Sequence, residues 1–331
     1  FYMNLCKWHE AINHLTLAAK GIPNIAEIWH DLGIALDKVA LRSQAVIAFE
    51  RAIDLNPTFE QAHNNLGSVL HGLQQYSNAL IHFEQALEIN PHYSEAQVNK
   101  AFTLLLNGYL EEGFECYEHR NLVGEQHPSY LLLDKPIWTG KQDIKGKKLL
   151  IFAEQGFGDT IQFARYLNLL EQYEPLLIFA VQKSLMTLLS ELRCKFQVID
   201  INTRFNDFDY YVPLMSLPKI MGTRIHSIPS TPVLLNIDEI VASKWRDRLN
   251  QITRPRIGLV WSGSLTHLND SNRSLPLAVM LHYLPEGLSY IALQNEIRKS
   301  DHEALLSSKI RHFEAYIQDF QDTAAICMEL D

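Results

Sequence analysis

The sequence predicts an α plus α/β chain, with a helical repeat array in its first third and two consecutive parallel-sheet units behind it. Three observations carry this. NIAEIWHDLGIALDKVALRSQAVIAFERAIDLNP lies without gaps over TFEQAHNNLGSVLHGLQQYSNALIHFEQALEINP, setting Leu32-Gly33 over Leu66-Gly67 and Pro57 over Pro91. From Lys148 the pattern changes to short apolar runs alternating with amphipathic stretches. The same alternation starts again near Arg254.

In the repeats, Ala45, Phe49 and Ala52 recur as Ala79, Phe83 and Ala86, one repeat length later. The same step backwards reaches Ala11, Leu15, Ala18 and Pro23, and forwards Ala101, Gly113 and Tyr117. Small residues at Gly33, Ala45, Gly67 and Ala79 let two helices approach, and Leu36, Phe49, Leu70 and Phe83 fill the space between them. Asn56-Pro57 and Asn90-Pro91 each stop a helix, because a residue before proline is pushed out of the helical region. This pattern resembles the tetratricopeptide repeat, a helix-turn-helix unit of this length, with two complete copies, a truncated one before and a degenerate one after. The resemblance implies a surface that docks a protein or peptide. His14, His30, His63, His71, His82 and His92 have no recurring spacing of metal ligands and read as solvated or core-edge histidines.

Composition limits the partners. The 331 residues are 47% hydrophobic and 20% charged, ordinary globular values for two or three domains. Lys plus Arg number 29 against 38 Asp plus Glu, a net charge of -9 with no basic stretch, which argues against nucleic acid as the main partner. Cys6, Cys116, Cys194 and Cys327 are scattered, which suits a reducing compartment and neither a disulfide framework nor a cysteine metal site. No apolar run reaches the ~18 residues of a membrane span and no signal pattern opens the chain; the expectation is a cytoplasmic protein. Phe1 falls inside a structural unit and the second α/β unit stops at Asp331, so the chain reads as a fragment at both ends.

The expected domains are repeats over 1–125, a linker over 126–147, a first α/β domain over 148–237, and a connecting helix with an incomplete second α/β unit over 238–331. In the first, strands LLIFAEQ, LLIFAVQ and FQVIDI alternate with helical IQFARYLNLLEQY and KSLMTLLSEL, ahead of FDYYVPLMSLP. Such alternation argues for a parallel, Rossmann-like sheet buried on both faces. In the second, the helix DEIVASKWRDRLN precedes the strand RPRIGLVWSG, the helix LPLAVMLHYL, the strands LSYIALQ and KIRHFEAY, and a helix start at DFQDTAAICMELD.

Two such units in tandem suit the GT-B architecture. EQGFGDTIQFARY (154–166), FDYYVPLMSLP (208–218), MGTRIHSIP (221–229), IGLVWSGSLTHLNDSNRS (257–274), LQ (293–294) and DFQDTAA (319–325) sharpen the comparison. Together they look like bacterial tetratricopeptide proteins whose C-terminal region is similar to the heptosyltransferase family, glycosyltransferase family 9. The resemblance implies a glycosyltransferase of hexosyl or heptosyl type, inverting, with a nucleotide-sugar as substrate, no metal and no other cofactor. The family pattern continues past the last residue here with a second strand-end Asp-Thr, so the resemblance also implies an incomplete nucleotide half.

The resemblance makes Asp159 the general base that takes the acceptor proton, with Gly156 and Gly158 admitting backbone and acceptor. The residues alone also allow Asp159 to cap the helix that follows. Glu154 and Gln155, at the carboxyl end of a strand where α/β sheets bind ligands, either contact acceptor or hydrogen-bond the turn. In the second unit the resemblance places Arg273 at the donor diphosphate, with Ser262, Gly263 and Ser274 as donors. The alternative there is a polar loop with Asp270 and Asn272 in turns, Ser274 as a cap and Arg273 solvated. His267, in the same loop, is a further contact of the same kind. Gln294 ends the next strand and could face the nucleotide. Asp322-Thr323 either bind donor or start a helix capped by Asp319. A dinucleotide fingerprint fails at 156–161, where Ile161 stands in place of the third glycine.

Overall fold

A computed structural model describes residues 3, 7–122, 134–190, 196–230, 237–265, 270–294 and 296–331. It forms two compact units: residues 1–134 with 215–230, and residues 135–214 with 231–331.

The first unit is a run of antiparallel helices: α1 (Trp8–Gly21), α2 (Ala26–Lys38), α3 (Arg42–Leu55), α4 (Glu60–Gly72), α5 (Tyr76–Ile89), α6 (Ser94–Leu106) and α7 (Leu110–Tyr117). The glycines mark the closest approaches. A Cβ on Gly33 would lie 2.6 Å from the Phe49 ring, and one on Gly67 would lie 2.7 Å from the Phe83 ring. Each aromatic therefore fills the space its glycine leaves. Ala45, Ala52, Ala79 and Ala86 are fully buried at the same crossings. Asn56 ends α3 and its Oδ1 accepts from the backbone N–H of Thr58; Asn90 ends α5 and accepts from His92 N–H in the same way. The turn inside each repeat passes through a left-handed residue at equivalent positions, Ala40 (φ 61°), Gln74 (φ 62°) and Gly108 (φ 83°). Only the last carries the residue type that takes this conformation without strain.

Residues 215–230 belong to this unit although the sequence pattern groups them with the α/β domain. Lys219, on α11 (Leu217–Ile220), pairs with Glu115 of α7 at 3.0 Å. Arg224 pairs with Glu111 at 2.7 Å, and Arg120 donates to the buried Ser216 hydroxyl at 3.0 Å. These charge complements between segments about a hundred residues apart are invisible to local periodicity.

The second unit holds two parallel sheets. The first contains β1 (Lys148–Phe152), β2 (Leu176–Val181), β3 (Phe196–Asp200) and β4 (Tyr210–Pro213) in the order β3-β2-β1-β4. Leu149 to Phe152 and Leu177 to Val181 are buried without interruption, the pattern of strands covered on both faces. Short helices α8 (Phe157–Phe163), α9 (Leu167–Leu170) and α10 (Met186–Ser190) make the connections. Within the expected linker, Trp138 is buried and its backbone N–H donates to Tyr211 O, which lengthens the β4 edge; residues 126–133 of that linker, like 123–125 before it, lie outside the described residues.

The second sheet is β5 (Arg256–Leu259), β6 (Ser289–Ala292) and β7 (Arg311–His312), in that order. Helices α12 (Glu239–Leu249) and α15 (Phe320–Met328) cover one face, where Ile291 packs with Trp245 and Ile326. Helices α13 (Leu277–Leu281) and α14 (His302–Ser307) accompany the other, where Tyr290 and Ala292 pack with Trp261 and Leu277. Successive β6 side chains thus enter two different cores, as alternation along a strand requires. The KIRHFEAY strand shrinks to two residues and α14 arises in a stretch to which the pattern assigned nothing; both are short elements held by tertiary packing.

Candidate functional site

The expected residues follow the carboxyl ends of β1, β5 and β6, except Asp322 and Thr323, which fall in α15. In the first sheet the chain runs from β1 to β2 on one side, whereas β4 pairs on the other. The connections therefore diverge at the carboxyl ends of β1 and β4, the position where open α/β sheets form a ligand crevice. The turn after β1, carrying Glu154, Gln155, Gly156, Gly158 and Asp159, lies there.

That turn is pinned by its own hydrogen bonds. Asp159 sits in the first turn of α8 and its Oδ2 accepts from Gly156 N–H at 3.2 Å, so its capping role is present in the structure. Buried Thr160 donates its hydroxyl to Gln182 Oε1 at 3.1 Å, and Gln182 Nε2 donates to Gln155 O at 2.7 Å. Gln182 is a positioning residue the sequence pattern missed; it ends LLIFAVQ, one strand over. Gly158 meets nothing within 4 Å of where a Cβ would stand, so the protein's own packing does not call for glycine there. Phe157, next to it and 43% exposed, packs edge-on against Phe320 at the start of α15, with ring centroids 5.1 Å apart. The turn after β1 therefore touches the second sheet's last helix.

In the second sheet the carboxyl ends of β5 and β6 supply Ser262, Gly263 and Gln294. The Gln294 side chain ties the two together: Oε1 accepts from Trp261 N–H (3.3 Å) and Ser262 N–H (3.2 Å), and Nε2 donates to the Ser262 hydroxyl (2.7 Å). Ser274 does not cap a helix. Its Oγ accepts from Gly263 N–H at 3.0 Å, while its hydroxyl turns to Asp270. Arg298, unforeseen in the sequence, donates through Nη2 to Asp270 at 2.7 and 2.8 Å, to Ser274 Oγ at 3.0 Å and to Gly263 O at 3.0 Å. Hydrogen bonds from Arg298, then from Ser274, hold the Asp270 carboxyl below its ordinary pKa. Arg273 is exposed and its guanidinium lies against Gly263, 2.9 Å from where a Cβ would be. Asp301 is the buried anchor beneath, accepting from Trp261 Nε1 (2.9 Å) and Leu277 N–H (3.2 Å). His267 lies outside the described residues.

Asp322 and Thr323 lie in the first turns of α15. Asp319 caps α15, accepting from Gln321 N–H and Asp322 N–H. Asp322 itself is buried, accepting from Trp245 Nε1 at 2.6 Å and from Gln318 N–H at 2.8 Å. Its carboxylate is engaged inside the α12–α15 core, and the signal was the Trp245 indole, 77 positions earlier.

The repeat unit carries its own polar array. Asn65 meets His30 at 2.9 Å, and Asn99 donates to Asn64 at 3.0 Å and to Ser68 at 3.2 Å, linking α2, α4 and α6 side by side. Buried His63 and half-buried His82 face each other through their Nδ1 atoms at 3.3 Å. Among the described residues no group of three or more His, Cys, Asp or Glu could hold a metal ion, and no helix is long and apolar enough to cross a membrane.

The helix pairs and the composition of their crossings are those of tetratricopeptide repeats, and a parallel-sheet α/β region follows them in the chain. Family models of the tetratricopeptide repeat match residues 26–59 and 60–93. Over 97% of its length the chain is similar to Protein FlbA of Caulobacter vibrioides (strain ATCC 19089 / CIP 103742 / CB 15), at 26% identity. The chain spans 59% of that relative's length. Similar solved structures include MamA from Desulfovibrio magneticus RS-1 (25% identity, 36% of this chain and 67% of that one, TM-score 0.34). Another is YrrB, described as a TPR protein with an unusual peptide-binding site (21% identity, 38% and 65%, TM-score 0.35).

Proposed function

We propose that the chain is a glycosyltransferase whose repeats recruit a protein or peptide acceptor and whose α/β unit, of GT-B type, binds a nucleotide-sugar. The observation that supports this best is the placement of two polar strand-end clusters. One carries Asp159 at the point where the first sheet's connections diverge, and the other carries serine, glycine and arginine groups after β5. The order β3-β2-β1-β4 also agrees with a Rossmann half. In the proposed reaction the acceptor oxygen forms a bond to the anomeric carbon as the bond to the nucleotide diphosphate breaks. The acceptor proton passes to Asp159, and the departing diphosphate is held by Ser262, Gly263, Ser274 and the arginines. The open space at Gly158 suits an acceptor approaching the backbone. Gln294 positions the serine turn, and Asp322 acts through the core. The acceptor is a protein, the location cytoplasmic, and no metal or other cofactor takes part.

The full-length parent is tested for transfer from a panel of nucleotide-sugars, wild type against Asp159→Asn. The expected loss is roughly 10²- to 10⁴-fold, the usual worth of a general base. An unchanged rate removes Asp159 as the base, and absence of both binding and turnover across the panel refutes the transferase. A second reading, a docking scaffold with an inactive α/β unit, is favoured by the hydrogen bond that already occupies Asp159 Oδ2 and by the engaged Gln294 amide.

A further inference from the structure

Resting on the phosphate reading of the second sheet, we propose that its anion site is centred on Arg298 and that the Asp270 carboxylate is a built-in occupant, displaced when a phosphate or diphosphate group binds. The hydrogen bonds around Arg298 are uneven. Nη2 carries two protons but faces four acceptor atoms, both Asp270 oxygens, Ser274 Oγ and Gly263 O, all within 3.0 Å. Nε on the same guanidinium is buried and makes no hydrogen bond among the described residues. Guanidinium groups bind carboxylate or phosphate best through two parallel N–H bonds, and here, among the described residues, one arm of that fork is unused. Asp270 thus holds Arg298 in place while engaging it through a single nitrogen.

The neighbours fit an incoming oxyanion. Ser274 gives its hydroxyl to Asp270 and receives Gly263 N–H, so an anion replacing Asp270 would inherit the hydroxyl and come next to that backbone donor. Arg273 flanks the same turn, its guanidinium filling the place a side chain at 263 would need. Two cations therefore surround one carboxylate, and a doubly charged phosphate would match them better than Asp270 does. The pair is partly exposed, with side-chain exposures of 21% for Arg298 and 16% for Asp270. Asp301 differs in kind, because its bonds to the Trp261 indole and Leu277 N–H anchor the core and leave it no freedom to move.

The test titrates inorganic pyrophosphate, and separately a nucleoside diphosphate, into the full chain at low ionic strength, by calorimetry. Thermal melting confirms that each variant is folded. Asp270→Asn is expected to bind about tenfold more tightly than wild type, since it removes the competing charge and keeps the side-chain size. Arg298→Gln is expected to lose binding, and Arg273→Gln to weaken it less. Should Asp270→Asn fail to fold, Asp270→Ser carries the same expectation. Unchanged or weaker binding by the Asp270 variants overturns the internal occupant. Binding lost in Arg273→Gln but retained in Arg298→Gln overturns the centre at Arg298; in both cases the phosphate reading survives. No binding of either probe to wild type or any variant refutes the phosphate reading and the proposal with it.

Discussion

Replacing Gly67 with Ala tests the packing that defines the repeats. Gly67 is inside α4, where alanine is intrinsically the better helix former by about 1 kcal/mol. Opposing this, the new Cβ would stand 2.7, 2.8 and 3.0 Å from three atoms of the Phe83 ring. Phe83 is 1% exposed and packed among Leu66, Leu70 and Ala79, so the ring has nowhere to retreat. Overpacking of this kind costs roughly 1–3 kcal/mol, and a clash with three atoms of one rigid ring belongs near the upper end. The net expectation is a destabilisation of about 1–2 kcal/mol after the helix gain is subtracted. Urea denaturation followed by the helical circular dichroism signal measures it. The partner is identified by a second change: Phe83→Leu shortens the ring side and should make the double variant more stable than the sum of the singles, by at least about 0.5 kcal/mol. A Gly67→Ala protein more stable than wild type, or strict additivity with Phe83→Leu, would refute the glycine–aromatic contact as the reason for the repeat's small-residue position.

Three further outcomes follow from the same structure. Asp322→Ala leaves the Trp245 indole unpaired inside the core, frees the Gln318 N–H near the surface, and should cost roughly 1–3 kcal/mol of stability; a variant that melts like wild type contradicts the structural role. Burial lowers the pKa of His63, His71 and His82 below the ordinary 6.5, so the folded repeats hold fewer protons than the unfolded chain. Their contribution to stability is complete above pH 6.5 and is lost as the pH falls through the lowered values; denaturation midpoints of the repeats between pH 7.5 and roughly 5, with His63→Gln showing a shallower decline, measure this. Gln182→Ala should free the turn after β1, raising proteolytic cleavage near Gln155 while leaving the helical signal of the repeats unchanged.

Legibility followed the range of the forces involved. The repeats were readable because each crossing is written locally: a glycine, an aromatic 16 residues on and an Asn-Pro stop recur together, and neighbouring units bury one another. The strands and the cap at Asp319 were readable for the same reason. Charge pairs such as Glu111 with Arg224, which tie residues 215–230 to the repeats, had no local signature.

By itself, then, the sequence determined the helix pairs, the two parallel sheets and the strand ends at which Ser262, Gly263 and Gln294 emerge, since periodicity, glycines and caps act within a few residues. Only the tertiary structure decided what those ends do. It turned Asp322 inward to Trp245, gave Ser274 to Gly263 instead of a helix, and placed Arg298 rather than Arg273 on the Asp270 carboxylate. Such choices depend on side chains that meet across separations of 11 to 77 residues, where burial and charge pairing are settled by the packing of whole elements and not by the spacing along the chain.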